Sequence, residues 1–260
     1  MSSTIGSVKN IVALVTGGAS GLGKAVVNRL CNHGASVILF DLPDSAGNSV
    51  AKQYDKCEFV AGSVVDSESL QNAVNIATNK FGRLDLAVSC AGILRAGLIV
   101  NAKKNKTHSP KDFEDVLRVN TFGTFNLMRL AATAMCNNSE DSNGQRGVIV
   151  LTSSVAAYEG QKGQVAYAAS KGAISAMTLP AARDLSILGV RVCTIAPGVF
   201  DTEMVQSFPE KVRNFLSEQA LQPPRLGFPD EYAHLVQSVY ENPMINGEVI
   251  RIDAGIRMQP

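Results

Sequence analysis

The 260-residue chain contains no tryptophan, three histidines and five cysteines, and only 6% of its residues are aromatic. His33, His108 and His234 are too dispersed along the chain to suggest a metal site. Cys31, Cys57, Cys90, Cys136 and Cys193 are odd in number and include no C-x-x-C pair. That spacing argues against a disulfide scaffold and a structural zinc site, and makes a reducing compartment the default. No apolar run approaches the ~20 residues of a membrane-spanning helix, so no membrane association is expected. Neither sign of charge dominates, with 24 basic residues against 23 acidic ones and a formal net charge of +1. Direct binding of nucleic acid is therefore not expected. The opening MSSTIGSVKN has one lysine, no arginine and no apolar core, so no cleavable targeting peptide is expected there.

What the chain does have is apolar residues, 45% of the total, and 22 glycines. The apolar residues gather in short runs separated by amphipathic stretches. Strands are expected at 11–16, 36–41, 57–64, 84–89, 147–153, 190–196 and 247–253. Helices are expected from the glycine-rich turn to about His33, at 44–54, at 67–81 with Asp66 or Ser67 as cap, at 110–136 and at 164–186. Strands that are apolar throughout, alternating with amphipathic helices, indicate a parallel sheet covered on both faces. We therefore expect an α/β chain with one domain over 1–260, a doubly wound parallel sheet with helices on both faces. Two stretches resist the alternation, about 93–109 and 198–228. Both follow strands, on the side where such sheets bind ligands.

TGGASGLG (16–23) joins the first strand to the first helix and sets Gly17, Gly21 and Gly23 in a G-x-x-x-G-x-G turn. A backbone stripped of side chains lets a pyrophosphate approach the free N–H groups and positive end of a helix. Asp41 ends the second strand, eighteen residues after Gly23. An acid there can accept hydrogen bonds from ribose hydroxyls and repels a 2′-phosphate, which favours NAD over NADP. Lys24, in the first helical turn, is expected to face solvent.

YAASK places Tyr167 and Lys171 at i and i+4, on one helical face. Ser154 stands thirteen residues before the tyrosine, at the C-terminal end of an expected strand, with Ser153 as its competitor. Together with Asn120 in RVNTFGT, Cys90–Ala91–Gly92 and Pro197–Gly198, these motifs give the chain its resemblance to the short-chain dehydrogenase/reductase family, which extends over essentially the whole length. The resemblance implies a Rossmann-like fold with Tyr167 as general acid/base, Lys171 and Ser154 as its supports, and Asn120 as anchor of a proton-relay water at a local helix kink. A free tyrosine has a pKa of ~10, so an ammonium beside it is expected to favour the phenolate. The resemblance also implies a cofactor site built from Gly17, Ser20, Gly21, Leu22, Gly23, Asp41, Ser63, Val64, Cys90, Ala91, Gly92, Tyr167, Lys171, Pro197, Gly198, Val199, Phe200 and Thr202. Ser154, Gln161, Gln164 and Tyr167 would meet the substrate.

Segments such as GQRGVIV, MTLPAARDL, TIAPGVF and NGEVIRIDAGIRMQP are most similar to a mitochondrial branch of that family. That likeness implies oxidation of (S)-3-hydroxyacyl-CoA and of hydroxysteroids, a homotetramer, a mitochondrial location and the 203–225 segment as a mobile cover whose swing Pro223–Pro224 limit. Lys103, Lys104 and Lys106 of the 93–109 insertion could meet coenzyme A phosphates or form a solvated cluster. Two other readings stay open: a carbonyl reductase with different substrates, and a dual-role scaffold beside a methyltransferase partner in mitochondrial tRNA processing. The chain departs from the family pattern at Ser63, where an aspartate usually accepts from the adenine amino group. It departs again at Ser89 and Leu151, where asparagines are common.

Overall fold

The computed structural model describes residues 6–206 and 208–259. Ser207 of the expected cover and Pro260 of the terminal motif lie outside them, as do Met1–Ile5. Seven parallel strands form the central sheet: β1 (Val12–Thr16), β2 (Ser36–Asp41), β3 (Cys57–Ala61), β4 (Leu86–Ser89), β7 (Gly147–Thr152), β8 (Val190–Pro197) and β9 (Val249–Ile252). Their order is β3-β2-β1-β4-β7-β8-β9. The 93–109 insertion adds a small antiparallel hairpin, β5 (Val100–Asn101) and β6 (Lys106–Thr107). The helices are α1 (Gly21–Asn32), α2 (Gly47–Ala51), α3 (Ser67–Phe81), α4 (Pro110–Val116), α5 (Gly123–Met135), α6 (Val165–Ser186), α7 (Glu203–Gln206), α8 (Glu210–Glu218) and α9 (Pro229–Glu241).

Side chains alternate across the strands and feed two separate cores. Leu14, Ile38, Ala87, Ile149 and Val192 pack under α3, α5 and α6. Their neighbours Val15, Leu39, Val88, Val150 and Cys193 pack under α1 and α9. Each large apolar side chain removed from water contributes roughly 1.5–3 kcal/mol, and strands apolar on both faces can be satisfied only by helices on both. The expected doubly wound sheet is what forms.

Several boundaries differ from expectation for local reasons. The 44–54 helix shrinks to α2 because the preceding residues form a turn, with Ser45 N–H on the Leu42 carbonyl. Strand β4 starts at Leu86, and the Asp85 carboxylate just before it accepts the Val12 N–H at 2.9 Å. The helix over 110–136 is interrupted by a π-helical stretch at Leu117–Phe122. Asp66 caps α3 as expected, accepting from the Glu68 N–H at 3.0 Å.

The direction of winding reverses between β1 and β4, which opens a crevice at the C-terminal ends of those strands. The turns after β1 and β4 meet there. A Cβ on Gly17 would lie 2.7 Å from the Ala91 nitrogen, and one on Gly23 would lie 2.1 Å from the Gly17 carbonyl oxygen. A larger residue at Gly17 would force the two turns apart, and one at Gly23 would disrupt the glycine turn itself.

Candidate active site

A cavity of about 460 Å³ occupies this crevice. Gly17, Ser20, Gly21, Leu22 and Gly23 line one end, with Asp41, Ser63 and Val64 beside them. Cys90, Ala91 and Gly92 form its floor; Ser154, Gln161, Gln164, Tyr167 and Lys171 line the other end; Pro197, Gly198, Val199, Phe200 and Thr202 complete the wall. Lys24 is not among the lining residues.

The residues at the glycine end fit a dinucleotide. The glycine turn sets no side chain of its own over the start of α1, where a phosphate would sit. Asp41 is held in place by two backbone donors, Ala19 N–H on Oδ2 at 2.9 Å and Leu42 N–H on Oδ1 at 2.7 Å. A carboxylate has about four acceptor sites, so lone pairs remain for ribose hydroxyls.

At the opposite end, α6 carries Tyr167 and Lys171 one turn apart. Lys171 is buried, and its Nζ donates to the Thr152 carbonyl at 2.8 Å while lying 5.7 Å from the centre of the Tyr167 ring. Burial lowers the Lys171 pKa to about 8, with the nearby Cys90 thiol opposing the shift. The partly buried Tyr167 differs from expectation: desolvation raises its phenol pKa, and a hydrogen bond with Ser154 offsets this only in part. Loss of water around the ring thus favours the protonated phenol.

The two serines separate cleanly. Ser153 is consumed by structure, its Oγ donating to the Lys171 carbonyl at 2.8 Å and pairing with Ser175 Oγ at 2.8 Å. Ser154 accepts from the Ala156 N–H at 3.1 Å and keeps its hydroxyl at the cavity beside Tyr167. Asn120 lies within the π-helical stretch, fully buried. Its Oδ1 accepts from the Ile93 N–H at 2.8 Å, and its Nδ2 donates to the Ile93 carbonyl and Ser170 Oγ, each at 3.0 Å. The Asn120 side chain therefore braces the floor beneath the lysine and does not line the cavity. Gly92 separates the two: a Cβ there would meet Asn120 Oδ1 at 3.3 Å and Lys171 Nζ at 3.7 Å.

Gln161 and Gln164 line the mouth and bond each other, Gln161 N–H to Gln164 Oε1 at 3.1 Å. Ser89 replaces the expected amide brace with a hydroxyl pair, 2.9 Å from Thr124 Oγ1. The insertion leaves Lys103, Lys104 and Lys106 exposed, outside the cavity lining.

Some lining residues carried no sequence signal. Thr152 is one, with its Oγ1 2.6 Å from the buried Tyr232 hydroxyl, and Tyr232 packs edge-on to Phe200 at 6.4 Å. Others are Met258 of the C-terminal tail and Met204, Phe208 and Leu216, which the sequence marks only as part of the expected 203–225 cover. Phe208 and Met258 lie on loops, where apolar residues have no periodicity to betray them. Among the described residues, no group of three or more His, Cys, Asp or Glu side chains is placed to hold a metal.

Comparison with known proteins agrees with this arrangement. Residues 11–213 match the family model for short chain dehydrogenase. The chain is 57% identical over 254 residues to 3-hydroxyacyl-CoA dehydrogenase type-2 of Drosophila melanogaster, covering 97% of this chain and 100% of that protein. It is 55% identical to the Homo sapiens protein of the same name, covering 100% of each. A crystal structure of 3-hydroxyacyl-CoA dehydrogenase type-2 from Mycobacterium avium superposes with a TM-score of 0.91 at 38% identity, covering 96% of this chain and 97% of that one. Glycine turn, sheet order and full-length likeness together place the chain in the short-chain dehydrogenase family, as an oxidoreductase.

Proposed function

We propose that this oxidoreductase is NAD-dependent and interconverts a secondary alcohol and a ketone, with (S)-3-hydroxyacyl-CoA thioesters as principal substrates and hydroxysteroids as further ones. The observation that carries the reading is the single cavity joining the bare glycine turn and Asp41 to Ser154, Tyr167 and Lys171. The names of the relatives support the thioester class.

When bound, a nicotinamide dinucleotide supplies the acceptor or donor of hydride. The chain supplies the proton chemistry and the orientation. Gly17, Gly21 and Gly23 admit the phosphates, Asp41 receives the ribose hydroxyls, and Ser63 with Val64 flank the adenine end. Phe200 and Thr202 border the nicotinamide end. Ser154 donates its hydroxyl hydrogen to the substrate oxygen, and Tyr167 gives that oxygen a proton during ketone reduction or takes one during alcohol oxidation. Lys171 holds positive charge beside the phenol, which lowers the cost of its anion. Asn120 acts from behind, holding the π-helical stretch and the Ile93 backbone.

Acetoacetyl-CoA reduction by NADH tests the reading, and turnover with a preference for NADH over NADPH is expected. Robust reduction of simple ketones without turnover of the thioester would favour the carbonyl reductase alternative. No turnover of either class would overturn the enzymatic assignment. A homotetramer belongs to the same reading and is supported by Phe122, Phe125 and Leu179, exposed on the long helices; sedimentation of a four-chain particle would bear it out.

A further inference from the structure

Glu203 opens α7, on the segment that leaves β8 past Pro197–Gly198. Its Oε2 accepts the Gly21 N–H at 2.9 Å. Gly21 is the first residue of α1, so this amide is one of the donors that have no partner inside the helix. Thr202 settles on the same point: a Cβ on Gly21 would meet Thr202 Cγ2 at 3.4 Å and Glu203 Oε2 at 3.7 Å. The chain thus presents its own anionic oxygen to the phosphate turn. Among the described residues, Glu203 forms no ion pair with a lysine or arginine.

We propose that Glu203 is an internal competitor for the dinucleotide phosphates, a residue that sets cofactor affinity by occupying the Gly21 amide when the cofactor is absent. The inference rests on the dinucleotide reading of the cavity. A carboxylate and a phosphate cannot share one N–H, and like charges held this close repel. Cofactor entry therefore requires withdrawal of Glu203, and its return helps expel the cofactor. Because Met204 and Val205 follow directly and line the same cavity, that withdrawal also shifts the wall on the substrate side. Glu203 would then link cofactor occupancy to the shape of the substrate end.

The test compares the full-length protein with Glu203→Gln and Glu203→Ala, titrating each with NADH by its nicotinamide fluorescence and with ADP-ribose by calorimetry. An anion at a helix N-terminus together with one exposed hydrogen bond corresponds to about three- to tenfold in affinity. Both variants should bind both ligands tighter by that factor, with slower NADH dissociation and a difference that shrinks as salt rises. Unchanged or weaker binding in both variants, while the parent protein binds NADH, would overturn the proposal and leave the dinucleotide reading standing. Failure of the parent protein to bind any nicotinamide dinucleotide would overturn both. A second measurement needs no ligand: the Gly21 amide resonance should move on Glu203→Ala, and an unmoved resonance would refute the contact.

Discussion

Lys171 bears the largest electrostatic cost at the site, an ammonium taken out of water with the Thr152 carbonyl as its hydrogen-bond acceptor. Its folded pKa of about 8 lies below the ordinary 10.5. Below pH 8 both folded and unfolded chains carry the charge, and the folded one bears the full penalty. Between pH 8 and 10.5 the folded chain releases the proton first, so the penalty fades as pH rises. Lys171→Met should therefore raise stability at pH 7 by about 1–3 kcal/mol, an advantage that shrinks through that window in urea titrations, while removing most turnover. A variant no more stable than the parent at pH 7 would show that the Thr152 bond compensates for the buried charge. Tyr167 has the opposite bias, its pKa raised by burial. Ketone reduction, which needs the protonated phenol, should thus hold its rate at neutral pH, and alcohol oxidation should climb into the alkaline range. Tyr167→Phe should lose about 10²–10⁴-fold in both directions, while stopped-flow titration shows NADH still bound. Pairing of Tyr167 with Lys171 is legible from their spacing; which way burial moves each proton is not, because desolvation depends on neighbours contributed by β7 and the turn after β4.

Among the elements, the helix over 110–136 and the turn at the end of α9 show what a linear pattern omits. Asn120 interrupts an amphipathic stretch, which suggests a kink. The π-helical widening itself arises from bonds to Ile93 and Ser170, residues 27 and 50 positions away. Arg191 reads in the sequence as a lone charge within a strand. In the fold it is buried and donates to the carbonyls of Val239, Tyr240 and Ile245 and to Gln145 Oε1. It closes the C-terminal end of α9, whose last carbonyls would otherwise be unsatisfied. Burial lowers the Arg191 pKa, yet a guanidinium stays charged at any working pH. Arg191→Met keeps the stem and removes the donors, so several buried carbonyls lose their partners. We expect a loss of about 1–3 kcal/mol, read as a lower urea midpoint, with the NADH affinity at the other end of the sheet unchanged.

Over the whole molecule, the C-terminal tail returns across the sheet to the mouth of the cavity. Glu159, just after β7, ion-pairs with Arg251 of β9 at 2.7 Å and accepts the Met258 N–H at 2.9 Å. Gln161 Nε2 donates to the Gln259 carbonyl at 2.8 Å. Met258 thereby becomes part of the cavity wall. The Arg251 hydrogen bond holds the Glu159 carboxyl below the usual range, so the tether survives mild acid and fails only once the pH drops through that depressed value. Glu159→Ala should release the tail, raising KM for the thioester several-fold with little change in kcat. An equal fall in kcat would instead place the tail in the chemistry.

The sequence by itself determined the sheet, its two-faced covering, the phosphate turn and the Tyr167–Lys171 pairing. Each of these is written in residues adjacent or one helical turn apart, where side-chain period and backbone sterics act without distant help. Only the tertiary structure decided that the Ser153 hydroxyl is spent on the Lys171 carbonyl while Ser154 stays beside Tyr167, that Asn120 braces the cavity floor, and that Glu203 reaches Gly21. Those outcomes depend on which surfaces meet when strands far apart in the chain lie side by side, and a local pattern holds no record of that.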